Sequence, residues 1–271
     1  MGIVNVTPDS FSDGGAFLQP DAAVAHGLDL VGEGAEILDV GGESTRPGAE
    51  PVSEVEELRR VIPVIEGLAA AEMTARISID TSKAKVAEAA LGAGANLVND
   101  VSALRADPQM VGLVVESECE CCLMHMLGEP RTMQRAGGPQ YKDVVADVKA
   151  FLEERLSFAV REGVREDRIM LDPGIGFGKT VVHNLELLRR LDELTELGRP
   201  LVIGTSRKSF LGRIVADGAG LAEPLDAQHR LAGTIATNVL ALERGASVFR
   251  VHDVAPLYEA LVVAAATLSG R

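Results

Sequence analysis

Two patterns of hydrophobic and polar positions alternate along the chain. Short runs rich in valine, isoleucine and leucine indicate buried strands, and the longer stretches between them repeat their apolar residues at helical spacing. The predicted strands are residues 2–6, 35–40, 76–80, 95–99, 121–126, 168–172, 200–204 and 247–252. The predicted helices lie near residues 21–34, 53–73, 83–94, 107–118, 141–163, 181–197, 226–245 and 254–268.

Local signals support these helices. Ser53, followed three residues later by Glu56, has the spacing of a capping box and predicts a helix start. Glycine tolerates the left-handed conformation found at helix ends, and it precedes several of the predicted strands. These glycines are Gly34, Gly94, Gly163, Gly198 and Gly245.

Eight strand–helix units of about 34 residues each follow one another along the chain. This alternation is typical of a (β/α)8 barrel rather than of an open doubly wound sheet. Neither a linker nor a low-complexity segment breaks the series. The sequence therefore predicts an α/β protein folded as one (β/α)8 TIM-barrel domain over residues 1–271.

Composition narrows the class of protein. The chain is 46% hydrophobic without an apolar run of membrane length, which predicts a globular protein with no membrane partner. A formal net charge of −14 disfavours nucleic acid as a partner, because nucleic acid requires a positive field. An anionic small substrate is still compatible, since a few local cations can dominate a cleft.

Cysteine usage and the first residues predict a cytoplasmic location. Cys119, Cys121 and Cys122 are too few and too close together for a disulfide framework, and no second cluster completes a zinc site. We expect ordinary thiols in or beside a buried strand, as in a reducing compartment. The first residues lack the basic and apolar regions of a secretory signal.

Each predicted strand ends on, or runs into, a polar or charged residue. Reactive groups of (β/α)8 barrels lie at these C-terminal strand ends and in the loops that follow them. Stability alone would not place polar groups at all eight positions, so the set predicts an active site at this end. Its members are Asn5, the segment "DVGGESTRPG" after strand 2, Asp80, Asn99, Asp100, His125, Asp172, the segment "TSRKSF" after strand 7, Arg250 and His252.

The segment "DPGIGFGKT" (172–180) resembles a phosphate-binding loop but fails both common patterns. A Walker loop needs glycine where Pro173 stands, and a dinucleotide fingerprint needs its third glycine where Lys179 stands. We expect these glycines to shape a turn that leaves the Asp172 carboxylate facing the barrel mouth. The alternative is that Asp172 only caps the turn.

Cations follow the last two strands. In "GTSRKSF" (204–210), Arg207 and Lys208 stand where barrels often bind an anion, although either one could be a solvated charge at a helix start. In "FRVHD" (249–253), strand alternation places Arg250 and His252 on one face. They suit an anionic ligand, and the alternative for Arg250 is an internal ion pair with Asp or Glu.

Asp80, Asn99 and Asp172 share planar side chains rich in acceptors. Such a set suits a flat heterocycle with several N–H groups, for example a 2-amino-4-oxo ring such as a pterin. The alternative is a satisfied polar core, which the cost of burying two carboxylates without an obvious partner disfavours. Nearby residues compatible with either a pocket or a plain structural role are Met124, His125, Met126 and Met133.

Several segments resemble the dihydropteroate synthases, a family of folate-pathway enzymes, and the resemblance covers nearly the whole chain. The segments are "MGIVNVTPDSFSDGG", "DVGGESTRPGA", "IDTSKAKVA", "NDVSAL", "LMHMLGEPRTMQ", "DPGIGFGKT", "GTSRKSFLGR" and "RVHDV". The resemblance implies condensation of 6-hydroxymethyl-7,8-dihydropterin diphosphate with 4-aminobenzoate, with Mg2+ as cofactor. The products are 7,8-dihydropteroate and pyrophosphate.

The resemblance also implies roles for individual residues. The implied pterin-binding residues are Asp80, Asn99, Asp172 and Lys208, and the implied diphosphate-binding residues are Asn5, Arg250 and His252, with Asn5 near the metal. The residues implied to bind 4-aminobenzoate are Phe11, Thr45, Arg46, Pro47 and Ser209. The implied catalytic residues are Asp13, Arg46, Lys208, Arg250 and His252.

We expect an SN1-like path, because loss of pyrophosphate leaves a cation that the electron-rich dihydropterin can delocalise. Asp13 is then expected near that cation and the amine, and Arg46 is expected to help order the closed loops. For the oligomeric state, the resemblance implies a homodimer formed through the late helices. Two other functions stay open: a pterin-binding paralogue without activity, and a corrinoid-linked methyltetrahydrofolate methyltransferase.

Overall fold

The computed structural model describes residues 1–7, 20–44, 49–128 and 139–270. Within these ranges the strands are β1 (Gly2–Asn5), β2 (Ile37–Gly41), β3 (Arg76–Asp80), β4 (Leu97–Asp100), β5 (Glu120–Met124), β6 (Ile169–Asp172), β7 (Val202–Ile203) and β8 (Val248–Phe249). The helices are α1 (Pro20–Gly32), α2 (Glu54–Ala70), α3 (Ala84–Gly92), α4 (Met110–Ser117), α5 (Val144–Glu162), α6 (Val181–Arg189), α7 (Asp192–Thr195), α8 (Ser209–Ala219), α9 (Leu231–Glu243) and α10 (Val254–Ser269).

The strands form a parallel ring. Strands β1 to β6 pair in chain order, and β7 pairs with β8. Two isolated parallel bridges join these sheets, between Leu171 and Leu201 and between Gly2 and Val251. The ring is thereby closed on both sides, and the predicted α/β fold class, a (β/α)8 barrel, is confirmed.

Alternation along the strands separates two apolar layers. One small buried cluster takes a single residue from each of five strands: Ile37, Leu97, Cys122, Met170 and Val202. Their sequence neighbours, such as Leu38 and Val98, belong to the larger cluster that includes buried residues of the surrounding helices. Because successive strand residues point to opposite faces, the small cluster fills the interior of the ring.

The register places polar residues at one level above this interior layer. Asn5 pairs with Gly41, Gly41 with Asp80, and Asp80 with Asn99, across four neighbouring strands. All four have the interior parity of their strands and lie at the C-terminal ends. The strand pattern alone therefore gathers these predicted site residues at the mouth of the barrel.

The helices depart from the predictions at three places. The structure contains α8 after β7, where no helix was among those predicted, and the predicted helix 226–245 is shortened to α9. The predicted helix 181–197 is divided into α6 and α7, because the backbone of Arg190 leaves the helical region at φ −114° and ψ 29°. None of the described helices is both long and apolar enough to cross a membrane.

Two helix-end predictions are confirmed. Ser53 Oγ accepts a hydrogen bond from the amide of Glu56 at 3.3 Å and caps α2. The five glycines predicted at helix ends have positive φ angles of 67° to 119°. The capping box itself is incomplete, because the Glu56 carboxylate accepts hydrogen bonds from Arg59 and Arg60 instead of returning to the Ser53 amide.

Candidate active site

Asp39 lies at the centre of the polar cluster inside the mouth. Its side chain is fully buried on β2. One carboxylate oxygen accepts from Ser78 Oγ at 2.6 Å, and the other accepts from Asn99 Nδ2 at 3.0 Å and from Arg250 Nε at 2.5 Å. This single carboxylate therefore organises residues from β3, β4 and the end of the β8 segment.

Arg250 bridges two carboxylates. Besides its contact with Asp39, its Nη2 donates to Asp80 Oδ2 at 2.9 Å. Burial alone would lower the pKa of Arg250, but the charges of Asp39 and Asp80 outweigh burial and raise it. The internal ion pair considered for this arginine is thus present. A guanidinium has five N–H donors, so donors remain for a further ligand at its partly exposed side.

Asp80 shares its cation with a second carboxylate. Burial raises the pKa of Asp80, and the negative charge of Asp39 adds to this effect, while Arg250 opposes it. Since one guanidinium serves two buried carboxylates, Asp80 holds a proton more readily than an ordinary aspartate. A ligand that donates N–H groups or brings positive charge would compensate for this shortage of donors.

Asp172 ends β6 and also caps the turn that follows it. Its Oδ1 accepts from the amide of Gly174 at 2.6 Å, so the turn-capping alternative holds for this oxygen. Burial raises the pKa of Asp172, and the nearby positive charge of Lys208 opposes the shift. The carboxylate therefore has both a structural bond and a cation beside it.

The glycines of the "DPGIGFGKT" segment do shape a tight turn. Gly174 has a φ of 65°, and a Cβ atom there would lie 1.9 Å from the carbonyl oxygen of His125. Gly178 has a φ of 61°, and its Cβ would lie 2.5 Å from the carbonyl oxygen of Leu127. Only glycine permits the loop after β6 to pack this closely against the residues that follow β5.

Lys208 lies against this loop. Its Nζ donates to the carbonyl oxygen of Ile175 and lies 4.7 Å from the centroid of the Phe177 ring. Burial lowers the pKa of Lys208 to about 8, with the charge of Asp172 opposing the shift. The lysine is close to Arg250 as well, because a Cβ on Gly204 would lie within 4.0 Å of both side chains.

The two cations of the "SRKS" segment have different surroundings. Arg207 is paired with Asp253 through hydrogen bonds of 2.9 Å from Nε and 2.5 Å from Nη2, which ties the loop after β7 to the residues after β8.

Ser206 Oγ lies 2.9 Å from His252 Nδ1 and accepts from the His252 amide at 3.1 Å. Ser209 is exposed at the start of α8.

The remaining predicted residues lie either outside the described residues or next to the polar cluster. Phe11, Asp13, Thr45, Arg46, Pro47 and Met133 lie outside the described residues. Met124 and Met126 form a small buried cluster against Val101 and Phe177, at the edge of the mouth. His125 is buried and bonded to Lys179, as its structural interpretation requires.

Asp39, Phe177 and Lys179 contribute to the site, and although all three stand in segments considered above, none was singled out as a site residue. Asp39 did carry a signal: it is the one charged residue in the strand "ILDVG", and a buried carboxylate needs a partner. Phe177 and Lys179 carried none, because their contacts depend on the fold of the loop.

A divalent metal would have few ligands from the described part of the chain. No three of its His, Cys, Asp or Glu side chains form a group that could hold a metal ion. The position of a Cβ on Gly41 would be 3.7 Å from both Asn5 Oδ1 and Asp80 Oδ2, so two oxygen donors border one small space. Mg2+ accepts such donors when substrate phosphates complete its shell. Mg2+ would therefore need Asn5 Oδ1 together with oxygens of a phosphate-bearing ligand.

The mouth of this barrel holds acceptors that suit a flat heterocycle and cations that suit an anion, and comparison with known families assigns the class to the pterin-binding enzymes. The family model described as "Pterin binding enzyme" matches residues 1–252. Dihydropteroate synthase of Escherichia coli (strain K12) is 44% identical over 271 residues, which are 100% of this chain and 92% of that protein.

Solved structures agree with this match. Yersinia pestis dihydropteroate synthase, in a sulfonamide drug complex, has a TM-score of 0.92 and 42% identity, covering 99% of this chain and 94% of that one. The Xanthomonas albilineans enzyme with 4-aminobenzoic acid has a TM-score of 0.89 and 47% identity, covering 99% and 92%. The chain belongs to the dihydropteroate synthase family.

Proposed function

We propose that the protein condenses 6-hydroxymethyl-7,8-dihydropterin diphosphate with 4-aminobenzoate to give 7,8-dihydropteroate and pyrophosphate, in folate biosynthesis. The observation that carries this proposal is the position of Arg250. Its guanidinium contacts Asp80 directly and is linked to Asn99 through Asp39, and His252 follows it two residues later on the same strand face. A ring site and an anion site are thus adjacent, as a substrate with both parts requires.

The pterin ring would occupy the space bordered by Asp80, Asn99, Asp172 and Lys208. The Asn99 amide nitrogen donates to Asp39, which leaves its amide oxygen to accept from the ring. The carboxylates of Asp80 and Asp172 accept ring N–H groups, and the Lys208 ammonium donates to a ring acceptor. This arrangement matches the edge of a 2-amino-4-oxo heterocycle.

The diphosphate would lie against Arg250 and His252, with Asn5 on the metal. Mg2+, when bound with the substrate, supplies positive charge that neutralises the phosphate oxygens. Asp39 and Asp80 hold the guanidinium in one orientation before substrate arrives, and Ser206 does the same for the His252 ring. Preorganised donors of this kind stabilise the charge that develops on a leaving group.

Bond breaking comes first in the proposed path. The exocyclic C–O bond breaks with its electron pair leaving on pyrophosphate, and the cation is delocalised into the dihydropterin ring. The amine nitrogen of 4-aminobenzoate then bonds to the CH2 carbon and loses a proton to solvent.

Lys208 and Ser209 would contact the aminobenzoate, together with Phe11, Thr45, Arg46 and Pro47. Asp13 would lie near the cation, with Arg46 ordering the loops.

One assay tests the reaction. We expect pyrophosphate release that depends on added 4-aminobenzoate. A pterin-binding paralogue would bind the dihydropterin without release, and a methyltransferase would ignore 4-aminobenzoate, so either result would overturn the assignment. For the SN1-like step, Asp13→Asn should lower kcat much more than it weakens pterin binding, and an equal loss in both would contradict the role of Asp13.

The proposal includes a homodimer formed through α9 and α10. An apolar groove between these helices is bordered by Val239, Pro256, Ala260 and Val263, and the Val263 side chain is 66% exposed. Light scattering should give twice the chain mass, and Val263→Glu should give the single mass. A single mass for the unaltered protein would contradict the dimer.

Two further parts of the proposal rest on the sequence. One domain over residues 1–271 is supported by a family match that runs through residue 252. A cytoplasmic location is supported by cysteine usage, and the three thiols are free and buried. Neither nucleic acid nor a membrane is proposed as a partner.

A further inference from the structure

Lys179 is buried beside the mouth without being part of the proposed substrate contacts. Its side chain is 2% exposed, and its Nζ lies 2.8 Å from His125 Nδ1. The same ammonium donates to the carbonyl oxygens of Phe177 at 3.0 Å and His125 at 3.5 Å. Burying a lysine costs free energy, and these three polar contacts offset that cost. The conformation of the loop therefore depends on this side chain.

The electrostatics match this geometry. Burial lowers the pKa of His125 to about 3, and the charge of Lys179 adds to the shift, so the imidazole is neutral and Nδ1 accepts the hydrogen bond. Burial also lowers the pKa of Lys179 to about 7, while Asp172 opposes the shift. The lysine thus links the end of the β5 segment to the β6–α6 loop through polar contacts inside the protein.

This loop in turn holds Lys208. The carbonyl of Ile175 accepts from Lys208 Nζ, and the ring of Phe177 lies beside the same ammonium. Lys179 Nζ donates to the backbone carbonyl of Phe177, the residue whose ring lies beside Lys208. A shift of the Phe177 backbone would therefore move both groups that hold Lys208.

We propose that Lys179 is a positioning residue: by joining the Phe177 carbonyl to His125, it holds the β6–α6 loop in the conformation that fixes the Lys208 ammonium at the mouth. Its effect on turnover rests on the proposed function, whereas its effect on Lys208 does not. Lys179→Met leaves an unbranched side chain that is one atom shorter and removes its N–H donors. The Phe177 carbonyl then loses the hydrogen bond that links it, through Lys179, to His125 at the end of β5.

Trace acetylation read by mass spectrometry tests the structural link. At pH 8, we expect the acetylation rate of Lys208 to rise at least threefold in Lys179→Met, relative to Lys149 in the same molecule. The matched control is Lys85→Met, which changes a lysine whose side chain is 66% exposed and should leave Lys208 unaltered. An unchanged Lys208 rate, or an equal rise at all lysines, would overturn the proposal.

A second variant keeps the test decisive if Lys179→Met does not fold. His125→Leu removes the acceptor on the β5 side and should give the same selective rise at Lys208. His125→Asn places an amide oxygen near the position of Nδ1 and should restore the slow rate. Equal rates in these two variants would contradict the link.

Kinetics then separate positioning from general loss of structure. We expect Lys179→Met to raise KM for the dihydropterin diphosphate about tenfold, which corresponds to about 1.4 kcal/mol, with kcat changed less than threefold. A lower kcat at unchanged KM would overturn the positioning role. If the unaltered protein releases no pyrophosphate, the proposed function fails, and the acetylation rates still decide the role of Lys179.

Discussion

Arg250 Nε lies 2.5 Å from Asp39 Oδ2, although the two residues are 211 positions apart in the chain. The contact joins the segment of the last strand to the second strand across the interior of the ring. It means that the main cation of the mouth is fixed by the barrel itself. The position of this cation therefore depends on the closing of the strand ring, in which the segment after β8 pairs with β1.

Asp39→Asn should destabilise the protein and weaken substrate binding together. Asparagine carries no charge, so Arg250 would keep only one of its two carboxylate partners, Asp80. Breaking a buried ion pair costs about 3 kcal/mol. Urea denaturation would measure the free energy of unfolding, and KM for the dihydropterin diphosphate should rise. The control is Asp167→Asn in an exposed pair with Arg165, where we expect a loss below about 1 kcal/mol. Equal losses in the two variants would contradict the importance of the buried pair.

Arg250→Lys should reduce kcat/KM about 100-fold, equivalent to about 2.7 kcal/mol. A lysine ammonium is a point charge and cannot span Asp39 and Asp80 while donating to a diphosphate. Steady-state kinetics would measure the loss, and circular dichroism would verify folding. Arg213→Lys, in an exposed pair with Asp217, should keep full activity. Full activity of Arg250→Lys would show that charge alone suffices at this position.

Gly174→Ala should cost about 3 kcal/mol of stability, because the new Cβ would collide with the His125 carbonyl and the backbone is left-handed. Gly112→Ala provides the opposite case. Gly112 lies in α4 with open space around it, and alanine should stabilise the helix by up to about 1 kcal/mol. Thermal unfolding of both variants measures the difference. Similar melting temperatures would contradict the tight packing at Gly174.

Lys179 should make stability depend on pH. Its pKa is about 7 in the folded protein and 10.5 is the ordinary value, so between these values the unfolded chain binds more protons. Unfolding free energy must then rise with pH in this window, by up to about 1.4 kcal/mol per pH unit. Urea denaturation at pH 7, 8 and 9 should show this rise for the unaltered protein relative to Lys179→Met. Parallel profiles would contradict the prediction, and Lys85→Met should behave like the unaltered protein.

The barrel and much of its mouth were predictable from the sequence. Strand and helix periods depend on neighbouring residues, so the order of elements and the strand-end positions of Asp80, Asn99, Asp172 and Arg250 follow from local patterns. In a parallel ring these ends must meet, so local patterns were sufficient to gather these side chains at one end of the barrel. Helix α8 was not among the predicted helices, because the residues at its start were interpreted as an anion site, with a helix start only as the alternative.

The partners of these residues were decided only by the tertiary structure. Whether Arg207 or Lys208 faces the mouth depends on Asp253, and the position of Arg250 depends on Asp39 and on ring closure. The contacts of Lys179 with His125 exist only because glycines let two loops approach closely. Local sequence sets period and face, whereas hydrogen bonds between distant residues require the distances and angles of the folded ring.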